Sequence, residues 1–152
     1  MRNNKDEKIS ISIISGFLGS GKTTLLTHYM SELLKIDEKI SVIMNEFGSF
    51  DVDGNHLTDM VEVYSILNGC VCCDLKLDLV NQLEVLINEK DVNHIIIEAT
   101  GIAHPIEIIM ACQDPRIVQY VHQPQVIGVV DAERFLNREQ YTESTKRLME
   151  EQ

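Results

Sequence analysis

Two short stretches of this sequence hold side chains whose type and spacing can do chemistry. The first, "GFLGSGKTT" at positions 16–24, fits GxxxxGK[ST] in full, with Gly16, Gly21, Lys22 and Thr23 at the defined positions. Glycines at this spacing, here including Gly19, let the backbone curl until several N–H groups, those of Ser20 to Thr24 among them, aim at one phosphate. A following helix adds its positive end. Lys22 then reaches the outer phosphates, and the Thr23 hydroxyl suits Mg²⁺. The second stretch, "NGCVCCDL" at positions 68–75, packs Cys70, Cys72 and Cys73 into four positions.

A phosphate loop of this kind works with an acid at the end of a neighbouring strand, which holds the metal or its water. "IIIEATG" supplies Glu98 after three isoleucines, and Gly101 three residues later offers a backbone N–H to a terminal phosphate. The pair resembles the DxxG element of GTPases, with Glu in place of Asp. "NEFGSFDVDG" at positions 45–54 is polar and punctuated by glycine, which suits a loop that closes over a nucleotide. Its Glu46 is the candidate general base, and Lys22 and Glu98 complete the catalytic candidates.

Three thiols in four positions suit a metal ion, with two alternatives: small buried hydrophobes, or a redox pair. Zinc takes four ligands in structural sites and accepts three plus an exchangeable one elsewhere. Adjacent Cys72 and Cys73 would face opposite ways in a strand, so only an irregular turn, eased by Gly69, aims both at one ion. Glu46, Asp51, His56, His104 and Cys112 are candidates to complete the shell. His28 and His94 read as structural residues, and Cys112, on a short apolar helix, reads more readily as core.

These residues need a scaffold, and the pattern of the chain provides one. Apolar, β-branched runs at 9–15, 40–45, 94–100 and 125–131 read as buried strands, with a weaker strand at 61–67. Helices are expected over 23–34, over 75–88, where Leu79, Val80, Leu83, Leu86 and Ile87 share a face, over 105–112 and over 140–152. Alternation of this kind predicts an α/β fold of the P-loop NTPase type, a mostly parallel sheet flanked by helices and stopping before its last strands. An uncovered sheet edge offers a route to homo-oligomers.

Composition narrows the partners. With 24 acidic against 13 basic residues the net charge is −11, which disfavours a nucleic-acid backbone. No run approaches the roughly 18 unbroken apolar residues of a membrane span, and "MRNNKDEKIS" has charge without a secretory apolar core. A cytoplasmic location is expected, where clustered cysteines serve metal or redox chemistry rather than disulfides.

Taken in order, "GFLGSGKTTLL", "NEFG", "NGCVCC", "EATGIAHP" and "VVDAERF" resemble the CobW-type metal-homeostasis GTPases (CobW/HypB/UreG nucleotide-binding domain) from about position 9 to 135. The resemblance implies Mg²⁺-dependent binding of GTP, slow hydrolysis to GDP, and delivery of zinc, in some branches cobalt (Co²⁺), to a client metalloprotein. It also implies that Cys70, Cys72 and Cys73 form a CxCC site for Zn²⁺. Ser49 and Met44 stand where members often carry acids, and Ala103, His104 and Pro105 stand where many read ADP. The guanine-reading element and a C-terminal domain would fall beyond Gln152, so residues 1–152 read as one incomplete P-loop GTPase domain.

Two other functions fit the same motifs. A P-loop kinase of a small metabolite would need arginines in a lid, and only Arg116, Arg134, Arg138 and Arg147 follow Arg2. A fragment that binds nucleotide or metal without turnover is the other. Competition with a zinc chelator checks the thiol site: one-to-one binding that disappears in Cys72→Ser is expected, and unchanged affinity in that variant excludes CxCC as the ligand set.

Overall fold

The computed structural model describes residues 8–44, 61–65, 75–89, 91–99 and 105–137. Within them the chain runs β1 (Ser10–Gly16), α1 (Lys22–Lys35), β2 (Ile40–Met44), β3 (Glu62–Ser65), α2 (Leu75–Glu89), β4 (His94–Glu98), α3 (Pro105–Cys112), β5 (Gln125–Val129) and α4 (Ala132–Leu136). All neighbouring strands pair in parallel, in the order β3-β2-β4-β1-β5. This is the α/β arrangement expected from the alternating pattern.

Burial on both faces explains the uninterrupted isoleucines. Ile11 and Ile13 of β1, with Ile95 and Ile97 of β4, join Leu79, Leu83 and Leu86 of α2 and Ile108 of α3 in one core. The intervening positions Ile14, Val42 and Ile96 join Leu26, Met30 and Leu33 of α1 in the other. Strands covered twice tend to run apolar on both faces, as Ile95–Ile97 do, whereas β1 carries Ser12 and Ser15 buried among its isoleucines. The helices bury only one stripe each and therefore show periodicity.

Local chemistry sets the ends of these elements. Pro105 opens α3, where its missing N–H costs no helical hydrogen bond. At the end of α1, Asp37 turns into the left-handed region with φ 61°, and the amides of Asp37 and Glu38 donate to the carbonyls of Leu34 and Leu33. That turn stops the helix and sends the chain into β2.

Two expectations change. The run at 125–131 reads as a buried strand, yet β5 borders only β1 among the described residues, and Val126 remains 43% exposed. Its composition is that of a covered strand, whereas its position is an edge. The helix α4 has no counterpart in the sequence reading, because five residues are too few to show a period. The expected helix at 140–152 lies outside the described residues, as do Glu46, Asp51, His56, Cys70, Cys72, Cys73, Gly101 and His104. No helix among the described residues is long and apolar enough to cross a membrane.

Leu83 is fully buried beneath α2. Leu83→Ala is expected to cost about 2–5 kcal/mol in urea unfolding, whereas Leu77→Ala, at a half-exposed position of the same helix, should stay within about 0.5 kcal/mol.

Candidate nucleotide site

The site forms where β1 hands over to α1. Gly16 ends the strand with φ 151°, and a Cβ there would lie 2.3 Å from the Val129 carbonyl oxygen and 2.8 Å from Ser20 Oγ. Glycine is therefore demanded by the close passage of β5 as well as by the backbone. Gly21 is demanded differently: nothing lies within 4 Å of its missing Cβ, but it takes φ 98° as the N-cap of α1. Gly19 and Ser20 make the turn between them, and the Ser20 amide donates to the Phe17 carbonyl over 3.0 Å.

Gly21 caps the helix without a side chain. The first-turn N–H groups of Lys22, Thr23 and Thr24 consequently point out of the helix with no side-chain acceptor supplied by the cap, and the macrodipole adds positive potential there. Thr23 is half-buried and Thr24 exposed. Such an end is built for an anion.

Lys22 belongs to the buried stripe of α1, at 6% exposure. Its ammonium donates to the Gly16 carbonyl over 2.7 Å and to the Phe17 carbonyl over 3.2 Å. Burial pushes its pKa down, and the Glu98 carboxylate offsets part of that push. Glu98 ends β4 in register with Ile14 of β1 and Met44 of β2. The Ala99 amide fixes the exit of the strand by donating to the Ile14 carbonyl over 2.9 Å.

Glu98 is 4% exposed, and among the described residues its Oε2 is buried without a hydrogen-bond partner. Burial raises the carboxyl pKa and Lys22 lowers it. Buried polar atoms are rarely left unpaired, so an orphan oxygen beside a phosphate loop marks a place where a ligand or its water completes the bonding. Ser20 Oγ is a second orphan of this kind, inside the loop itself.

The structure thus brings together Gly16, Gly19, Ser20, Gly21, Lys22, Thr23, Thr24 and Glu98. Cys112 leaves the set of metal-ligand candidates. It is 1% exposed in the core beneath α3, and burial pushes its thiol up to about 12, far from the thiolate that a metal requires. His28 is exposed, while His94 is buried against Ser12. The Val129 carbonyl that walls Gly16 had no signature in the sequence, because any residue type supplies that oxygen.

A buried acid with a raised pKa favours its neutral form in the fold. Its ionisation therefore removes stability as pH rises from the ordinary value of 4.5 through the folded value. Glu98→Gln is expected to raise the melting temperature of the empty protein at neutral pH and to flatten this part of its pH dependence. Thermal unfolding between pH 4 and 8 checks the sign.

The family description "CobW/HypB/UreG, nucleotide-binding domain" matches residues 10–152. The zinc chaperone CobW of Pseudomonas aeruginosa is 34% identical over 82% of this chain and 36% of its own length. The zinc-regulated GTPase metalloprotein activator 1 of Dictyostelium discoideum is 31% identical over 92% of this chain and 33% of its own. For the zinc chaperone YjiA of Escherichia coli the figures are 37%, 82% and 41%. This chain thus spans well under half the length of these relatives. A phosphate loop complete in every defined position, a buried acid beside it and a match over nearly the whole sequence lead to one conclusion: the chain belongs to the CobW/HypB/UreG nucleotide-binding domain family.

Proposed function

We propose that this chain is the nucleotide-binding part of a Mg²⁺-dependent GTPase metallochaperone, which carries zinc, or cobalt, at Cys70, Cys72 and Cys73 and passes it to a client metalloprotein. The observation that carries the nucleotide half is the buried Glu98 Oε2, without a hydrogen-bond partner among the described residues, close enough to Lys22 at the head of α1 for each to shift the other. The metal half is supported by the CxCC spacing and by relatives that are zinc chaperones and a zinc-regulated GTPase metalloprotein activator.

The donor set fits Mg²⁺. Thr23 offers a hydroxyl and Glu98 an orphan carboxylate oxygen, both oxygen donors of the kind a hard cation takes directly or through water. A bound Mg²⁺ supplies charge neutralisation on the outer phosphates. The first-turn amides of α1 orient the phosphates, and Lys22, released from the Gly16 and Phe17 carbonyls, meets the outer oxygens. Gly101 and Glu46 lie in the sequence where a terminal phosphate is sensed and a water activated. CxCC lies between them in sequence, and contacts at the terminal phosphate change metal affinity if the thiolate ligands differ between the two nucleotide states.

Zinc is the cargo of this cycle rather than its catalyst. Its binding releases protons from the thiols and therefore weakens as pH falls. Of the arginines that a kinase lid would need, Arg116 is engaged with Asp114, Glu84 and Asn81 beside α2, and Arg138 and Arg147 lie outside the described residues. GTP preference and client delivery rest on the family, while cytoplasmic residence and partners other than nucleic acid rest on composition and charge.

Lys22→Ala removes the loop's buried cation. It is expected to weaken Mg²⁺–GTP binding roughly 10- to 100-fold while the chain stays folded. Zinc affinity measured with GTP, with GDP and without nucleotide should differ between states; equal values would uncouple the two sites. A preference for ATP, with turnover stimulated by a small hydroxylated substrate, would replace this reading with the kinase.

A further inference from the structure

Below the nucleotide site, on the same face of the sheet, sits a second polar contact that phosphate binding does not use. Ser12 Oγ of β1 lies 2.9 Å from His94 Nε2 of β4 and 3.0 Å from the Tyr29 hydroxyl of α1. The Tyr29 and His94 rings meet edge to face with centroids 5.8 Å apart. Ser12 and His94 are buried, so this chain of hydrogen bonds spans three elements within the apolar layer beneath α1.

Its position along those elements matters. Lys22 and Tyr29 are seven residues apart on α1, about 10.5 Å along the axis, and both lie along the stripe that faces the sheet. Glu98 and His94 are four residues apart on β4, about 13 Å, and an even spacing puts them on one face. Between them Leu26, Ile14 and Ile96 are fully buried. Two polar levels therefore lie between helix and sheet, the charges of Lys22 and Glu98 acting on each other through space at the top and the hydrogen-bonded Tyr29, Ser12 and His94 at the bottom, separated by an apolar layer.

Apolar burial is non-directional and by itself tolerant of small axial shifts. A hydrogen bond is not, since it weakens steeply with distance and angle. We propose that Tyr29, Ser12 and His94 are positioning residues: their hydrogen-bond chain sets the axial register of α1 on the sheet and so fixes how the first-turn amides and Lys22 face Glu98. The nucleotide consequence rests on the function proposed above, whereas the register itself does not.

Tyr29→Phe removes only the hydroxyl and keeps the ring against His94. In the empty protein it should move the amide nitrogen and proton shifts of Gly21, Lys22 and Thr23, two turns away. Affinity for Mg²⁺ and a fluorescent GDP should fall about threefold to tenfold. Val61→Ala, a deletion in the same apolar layer but off α1, beside β3, serves as the control for lost stability and should leave both readouts in place. Ser12→Ala cuts the same chain at its middle and must reproduce the Tyr29→Phe pattern. Lower stability with unchanged shifts and unchanged affinity in both variants would reduce the cluster to ordinary packing. Shifts that move in a protein whose unaltered form binds no nucleotide would uphold the register and overturn the nucleotide reading.

Discussion

Two charges withdrawn from water hold this molecule's chemistry in place. Lys22 and Glu98 sit at the ends of adjoining elements, each nearly inaccessible, each shifted by burial toward its neutral form and drawn back by the other. Desolvation of this kind opposes folding unless each charge finds partners. Lys22 finds them in the Gly16 and Phe17 carbonyls, and Glu98 keeps one oxygen open. The two ends are asymmetric: the cation rests on the carbonyls of its own loop, while among the described residues the acid has an oxygen without a hydrogen bond.

The rest of the fold exists to make that withdrawal possible. A parallel sheet points the C-terminal ends of all its strands the same way, so β1 and β4 deliver the loop and Glu98 to one edge. Two apolar layers keep water from the strands, and the sheet's continuous isoleucines follow from that double coverage. The close approach of the Val129 carbonyl to Gly16 adds β5 to the wall of the site.

Much of this was legible beforehand. Short loops between strongly patterned segments made β1, α1, α2 and β4 readable to within a residue or two, because a stripe or a doubly buried run is written in consecutive positions. The loop glycines were readable because only glycine tolerates their conformations. Coverage of β5 was not: an apolar run reports that a strand suits burial, and neighbours decide whether it is buried. Cys112 was legible as core, because a thiol on a short apolar helix reads as a small hydrophobe, and it is buried in the core beside α2 and β1. The Ser12, Tyr29 and His94 contact was invisible, as its members lie 17 and 82 residues apart in the chain.

Residue type and spacing alone determined that a phosphate loop joins a strand to a helix, that an acid ends a second strand, and that three thiols cluster between them. Those features are local, and local chemistry needs no partner to be recognised. Tertiary structure decided which groups share a solvent-free space: that Glu98 faces Lys22 with an oxygen to spare, that β5 crowds Gly16, and that a second polar contact fastens α1 to the sheet. The reason is physical. Burial and electrostatic attraction act through space, and only the folded chain sets those distances.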